Sequence, residues 1–226
     1  TLPMENWSFP AVYDPAYIPE PDSRYWFRTR ETMPPAERDG AILQRLRQVT
    51  AYAYERAPFY RRIWDEAEFH PSKLTSLEDF EELVPVITKQ DLRASQAASP
   101  PFGDYLCIDP SEVFHLHGTS GTTGDPTAFA IGRGDWEAIS NAHARVMWGM
   151  GLRPGDTVFV ASVFSLYMGS WGTLSGAERL GATCFPFGAG APGMSARAVH
   201  WLKRVRPTAL YGTPSYALYL VDVAQD

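Results

Sequence analysis

The sequence predicts an α/β fold, and three observations carry that reading. Helical periodicity and capping patterns fill much of the first hundred residues. Strand and helix signals alternate after residue 110. Between them a loop rich in glycine and hydroxyls is flanked on both sides by extended apolar runs. The domain order expected is an irregular arm over residues 1–35, a helical segment over 36–110 and an α/β part over 111–226.

Taken in order, residues 1–35 are rich in Pro, Trp and Tyr and hold neither period, so they read as an arm packed over another element. Ile42, Leu46, Val49 and Ala53 recur at steps of four, three and four, placing one core face on a helix that ends before Pro58. A short helix over residues 59–66 follows. Ser76 with Asp79, and Thr88 with Asp91, then match a capping box, in which a hydroxyl takes an orphan N–H and the carboxylate three residues on reaches back.

Residues 112–117 alternate as a strand and residues 127–131 form a second extended run, so the loop between them is expected at the tip of a hairpin. Asp135 is placed as the cap of a helix whose Trp136, Ile139, His143, Val146, Met147 and Met150 share a face, ending at Gly151. Strand signals over 157–161, 182–187 and 208–211 then alternate with helices over 169–180, 195–205 and from Pro214, the last capped by Thr213. That alternation implies a parallel sheet, with ligands at the carboxyl ends of its strands: residues 162–168, 188–193 and 212–215.

Composition narrows the function. The chain has 226 residues, 45% of them hydrophobic and 20% charged, which is the balance of a folded globular protein. A net charge of −6 without basic blocks argues against nucleic acid; the arginines at 56, 61 and 62 read as a solvated helix face. Cys107 and Cys184 stand alone, outside any zinc or disulfide pattern, and are expected to be reduced core residues. No signal peptide is visible at residues 1–10, so the protein is expected in the cytoplasm. Residues 157–177 carry no charge over the length of a bilayer span, but serines and glycines interrupt them, and a buried strand and helix are expected instead of a membrane segment.

The loop carries the chemistry. Residues 117–127 hold three glycines and five hydroxyls. Glycines let successive N–H groups converge on an anion, and hydroxyls donate to phosphate oxygens or reach a magnesium ion. A polar hairpin turn is the alternative reading. The sequence lacks G-x-x-x-x-G-K-[ST], a Rossmann fingerprint and the G-x-S-x-G elbow of hydrolases. His115 and His117 would face one side of a strand, yet no third ligand completes a zinc set, and they read as partly buried strand residues. His143 and His200 are expected to be packed and hydrogen-bonded.

Thr119, Ser120, Gly121, Thr122, Thr123, Gly124, Asp125, Pro126 and Thr127 resemble the phosphate-binding signature of the adenylate-forming superfamily, T/S-S-G-T-T-G-K-P-T. Residues 54–62, 76–80 and 88–93 resemble the helical N-terminus of phenylacetate-CoA ligases, as do residues 153–156, 176–181 and 213–216. These matches cover about residues 40–220 in the right order. The resemblance implies part of the large N-terminal domain of such enzymes. It also implies a ligase that uses ATP and Mg2+ to turn an aromatic or arylacetic acid into an acyl adenylate and hands it to coenzyme A. Delivery to a carrier-protein thiol or an amine, and a non-catalytic module that keeps the fold, are the alternatives.

By that resemblance Thr119, Ser120, Gly121, Thr122, Thr123 and Gly124 would hold the β- and γ-phosphates, with Thr123 at the metal. Phe164, Tyr167, Met168 and Gly169 would border the acyl pocket, and Tyr211, Gly212, Thr213 and Pro214 would close it. Two departures stand out. Asp125 replaces the usual lysine, at a cost of about 2–3 kcal/mol for roughly 6 Å and an effective dielectric near 20; either Arg133 or a magnesium ion is expected to compensate, or nucleotide binding to be weak. The family's nucleotide-base and metal-carboxylate motifs, the small C-terminal domain and its catalytic lysine lie beyond the matched stretch. No catalytic residue is therefore expected here, and these 226 residues alone are expected to be inactive. The partners expected are the acid, ATP and CoA, with a homodimer through the arm also open.

Overall fold

The computed structural model describes residues 14–119, 126–189 and 191–225. The chain divides into two compact units: one of residues 1–14 and 27–136, the other of residues 15–26 and 137–226.

The first unit is helical, with one hairpin. Its helices are α1 (Arg28–Glu31), α2 (Pro35–Arg56), α3 (Pro58–Glu66), α4 (Leu77–Leu83) and α5 (Lys89–Ala98). Pro35 and Pro58 open α2 and α3 at the position where a missing N–H costs nothing. Both capping boxes form: Ser76 Oγ takes the Asp79 N–H at 3.1 Å and Thr88 Oγ1 the Asp91 N–H at 3.4 Å, each carboxylate returning to its cap. The core joins Ala53, Trp64, Phe69 and Leu74, with Tyr54, Tyr60, Ile63, Phe80 and Val84 around them. Ile42, expected in the core, is 41% exposed, because the apolar contacts of α2 concentrate in its last turns. The hairpin pairs β1 (Val113–Gly118) antiparallel with β2 (Ala128–Gly132), from Val113 opposite Gly132 to Gly118 opposite Ala128.

Helix α6 (Arg133–Gly149) begins two residues before the expected cap, and Asp135 reaches back from its first turn to accept the Gly132 N–H at 2.8 Å. Its buried residues are Ser140, Asn141, Ala144, Met147 and Trp148. Of the residues placed on one face, Met147 is buried, whereas Val146 and Met150 are 56% and 75% exposed. The cover on α6 explains the shift. Trp26 donates from Nε1 to Asn141 Oδ1 and meets Trp148 edge to face, and Trp148 donates from Nε1 to Ser23 O. Arg153 stacks on Trp148 and donates to Pro21 O and Ser23 O. The buried stripe therefore follows the aromatic strap of residues 15–26.

The sheet of the second unit runs β4 (Thr183–Phe185), β3 (Thr157–Val160), β5 (Ala209–Tyr211), all parallel. The helices α7 (Met168–Leu180), α8 (Met194–Val205) and α9 (Pro214–Val223) alternate with these strands. Phe159, Ala161, Ala198, Val199 and Leu220 form its core with Phe185, Phe187, Leu202, Tyr216 and Val223. Gly181 ends α7 in the left-handed region at φ 82°, where glycine carries no Cβ penalty. The uncharged stretch 157–177 becomes β3, a loop and most of α7, and among the described residues no helix is long and apolar enough to cross a membrane.

Candidate functional site

Two groups of site residues are placed, one in each unit. In the first, β1 and β2 bring Thr119 to the mouth of the glycine loop. The Thr119 N–H donates to Thr127 O at 3.2 Å, and Thr119 Oγ1 accepts the Thr127 N–H at 3.2 Å. A hydroxyl has one proton and two lone pairs, so accepting the Thr127 N–H does not use the Thr119 proton. Ser120, Gly121, Thr122, Thr123, Gly124 and Asp125 lie outside the described residues, and with them most of the expected phosphate contacts and the metal position of Thr123. Thr127 is fully buried, and its hydroxyl has no hydrogen-bond partner among the described residues.

The free edge of β2 is occupied. The Gln96 side chain donates from Nε2 to Ala128 O at 2.7 Å and accepts the Ala128 N–H on Oε1 at 3.1 Å. The Tyr105 hydroxyl accepts the Ala130 N–H at 2.8 Å and lies 3.5 Å from Ala128 O. Burial pushes the Tyr105 phenol above its ordinary pKa, so it stays neutral. Neither residue was singled out by the sequence. Each belongs to a segment whose only legible signals are helical, and no spacing links them to the loop.

Asp125, for which Arg133 was one expected counter-charge, lies outside the described residues. Arg133 follows Gly132, at the end of the hairpin remote from the loop, and its guanidinium sits 4.2 Å from the centre of the Phe114 ring. His115 stacks on Trp136 at 3.9 Å and on His117 at 5.7 Å. Burial, and then the neighbouring His117, lower the pKa of His115. Among the described residues no three His, Cys, Asp or Glu side chains gather to hold a metal. A cavity of about 440 Å3 runs along α2, lined by Gly40, Leu43, Gln44, Arg47, Gln48 and Ala51, and contains none of the expected site residues.

In the second unit the carboxyl ends of the strands converge as the alternation implied. Beyond β3 the Ala161 N–H donates to Tyr211 O at 2.8 Å, and the Gly188 N–H beyond β4 donates to Val160 O at 2.9 Å. Gly212 lies against this end: a Cβ there would stand 3.2 Å from Ala161 O. The loop after β3 is tied to the first turns of α7, since Ser170 Oγ donates to Val163 O at 2.7 Å and Trp171 Nε1 to Ser165 O at 2.8 Å. Phe164 packs edge-on against Trp171 at 5.2 Å.

Tyr167 and Tyr211 come together, their hydroxyls 3.5 Å apart. Burial and the Tyr167 hydroxyl raise the pKa of Tyr211, with Thr173 opposing, so Tyr211 acts as a neutral donor or acceptor. Met168 opens α7, and Gly169 lies directly beneath the Tyr167 ring: a Cβ there would meet the phenol oxygen at 2.3 Å. Thr213 caps α9 through the Tyr216 N–H at 3.3 Å, with Pro214 in the first turn. His143 sits in a notch between Gly172 and Gly176, with Nδ1 2.9 Å from Ile139 O, whereas His200 is exposed and meets the edge of Trp201, 5.9 Å away. Packing was expected of both; the exposed face of α8 leaves His200 in solvent.

No protein-family profile matches the chain. It is 36% identical over 192 residues to the phenylacetate-coenzyme A ligase of Thermus thermophilus, a match that takes in 85% of this chain and 41% of that one. The Escherichia coli K12 phenylacetate-coenzyme A ligase is 36% identical over 179 residues, or 79% of this chain and 39% of the relative. Two solved structures of 2-hydroxyisobutyryl-CoA ligase resemble it further. One, in the postadenylation state with 2-HIB-AMP, matches at 69% identity with a TM-score of 0.94, over 98% of this chain and 46% of that one. The other, with 2-HIB-AMP and CoA in the thioesterification state, gives 70% identity and a TM-score of 0.95 over the same shares. The chain thus spans less than half the length of the relatives it matches. On these matches the chain belongs to the phenylacetate-CoA ligase-like branch of the adenylate-forming ligases.

Proposed function

We propose that the native protein is an AMP-forming acyl-CoA ligase whose acid is a short 2-hydroxy acid. In the first half-reaction a carboxylate oxygen attacks the α-phosphorus of ATP, the bond to the β-phosphate breaks, and pyrophosphate leaves. In the second, the thiol sulfur of CoA attacks the acyl carbon, AMP leaves, and the thiol proton passes to solvent. Thr119, Ser120, Gly121, Thr122, Thr123 and Gly124 cradle the departing phosphates, which is an electrostatic contribution. The hydroxyls of Thr119 and Thr123 suit an Mg2+-phosphate group, and a bound magnesium would supply charge neutralisation beside Asp125.

The observation that carries the reading is the 69% identity, over 98% of this chain, to a ligase structure holding 2-HIB-AMP. The Tyr167 and Tyr211 hydroxyls support it, since they offer a substrate hydroxyl polar partners that a plain aryl ring would leave unpaired. An aryl or arylacetic acid is the second reading, favoured by the aromatic pair Phe164 and Trp171 and by the phenylacetate-coenzyme A ligase relatives.

ATP–pyrophosphate exchange with the native gene product tests both. Exchange driven by 2-hydroxyisobutyrate at least about tenfold faster than by phenylacetate is expected. The reverse order selects the aryl acid, and no exchange with either acid leaves a non-catalytic module. Transfer to CoA, in place of a carrier protein or amine, is read from the thioester formed once CoA is added. Asp125→Lys is expected to tighten MgATP binding.

A further inference from the structure

We infer that Gln96 and Tyr105 are positioning residues for ATP, holding the stem of the phosphate loop from its outer edge; this rests on the loop taking the phosphates. Among the described residues β2 is an edge strand, paired with β1 alone. On its other side Ala128 and Ala130 present backbone groups that a third strand would normally satisfy. The Gln96 amide has the donor and acceptor of a peptide group, and it makes the reciprocal pair with Ala128 that a neighbouring strand would make. Tyr105 takes the next outward N–H, that of Ala130.

Both side chains are anchored. Gln96 stands on α5, whose start is fixed by the Thr88 and Asp91 box. Tyr105 follows Asp104, whose carboxylate accepts from Ser95 Oγ at 2.6 Å and from Arg62 at 2.7 Å, while its carbonyl takes the Phe59 N–H at 3.0 Å. Gly103, at φ 71°, turns the chain so close to Ser95 that a Cβ would stand 2.1 Å from its hydroxyl. A continuous set of hydrogen bonds thus runs from α3 and α5 to Ala128, next to Thr127, which pairs with Thr119 at the mouth of the loop. A stem held at Ala128 and Ala130 before the ligand arrives leaves less to be ordered on binding, so the helical segment contributes to nucleotide affinity through the stem.

Edge protection alone would account for the same bonds, and the two roles separate by measurement. In the native protein, Tyr105→Phe and Gln96→Leu are each expected to weaken MgATP binding about tenfold by calorimetry without acid or CoA, the worth of about one buried hydrogen bond. The KM values for acid and CoA are expected to stay within about twofold. Hydrogen exchange at Ala128 and Ala130 should quicken in the variants. Unchanged MgATP affinity beside a lowered melting temperature reduces the pair to edge protection and overturns the inference alone. Failure of the unaltered protein to bind MgATP overturns the phosphate-loop reading, and the inference with it.

Discussion

The hairpin stem of the first unit and the strand ends of the second fix their loops by opposite means. At the stem, polar side chains complete a backbone edge: Gln96, Tyr105 and Thr119 each satisfy a specific N–H or C=O. At the strand ends and along α7, fit depends on missing atoms. Gly212 meets Ala161, Gly169 lies under Tyr167, and Gly172 and Gly176 enclose His143. A polar edge fails when a partner is removed, while a glycine contact fails when an atom is added. The first kind should therefore act on ligand affinity with little change of packing, and the second on packing directly.

Gly176→Ala should have the largest effect on stability. Its Cβ would meet His143 Cβ at 2.4 Å and backbone atoms of His143 and Ala144 at 3.1 Å, so α6 and α7 must separate, at about 1–3 kcal/mol. An unchanged urea midpoint would remove the steric half of the comparison. Gly169→Ala sharpens it, because the atoms it would strike are the far end of a flexible, 51% exposed tyrosine. Its unfolding free energy should change by no more than about 0.5–1 kcal/mol, alanine being the better helix former. The acid's KM should rise several-fold and that of ATP stay put; equal changes in both would place Tyr167 outside the acyl pocket.

The smallest effect is one of pH and belongs to the polar side. Burial raises the Asp104 pKa, but its bonds to Ser95 and Arg62 outweigh that and leave it lowered. A carboxylate whose folded pKa is depressed lends stability above its unfolded value, near 3.9, and loses it as pH falls through the folded one. Asp104→Asn should therefore flatten the fall in stability below about pH 4 relative to the unaltered protein. Parallel acid-denaturation curves would show that Asp104 contributes nothing there.

Short-range signals were legible. The boxes at Ser76 and Thr88, the Gly181 stop and the Thr213 cap each depend on residues within four positions of one another, and each forms. Signals that depend on what covers an element were not. Periodicity put Val146 and Met150 on one face with Met147, yet the strap carrying Trp26 selects the face of Asn141 and Trp148, 115 residues away in sequence from Trp26 to Asn141. Arg133 looked near the loop because it is near in sequence, but an antiparallel strand carries it to the far end.

The sequence by itself determined the element order, the hairpin, the parallel alternation and the loop signature, since local hydrogen bonding and side-chain period decide these. Only the tertiary structure decided that Gln96 and Tyr105 complete the edge of β2, and that the Tyr167 and Tyr211 hydroxyls meet 3.5 Å apart. Those pairs join residues 25 to 44 positions apart, and nothing local to either partner encodes the other until packing brings them into hydrogen-bond range.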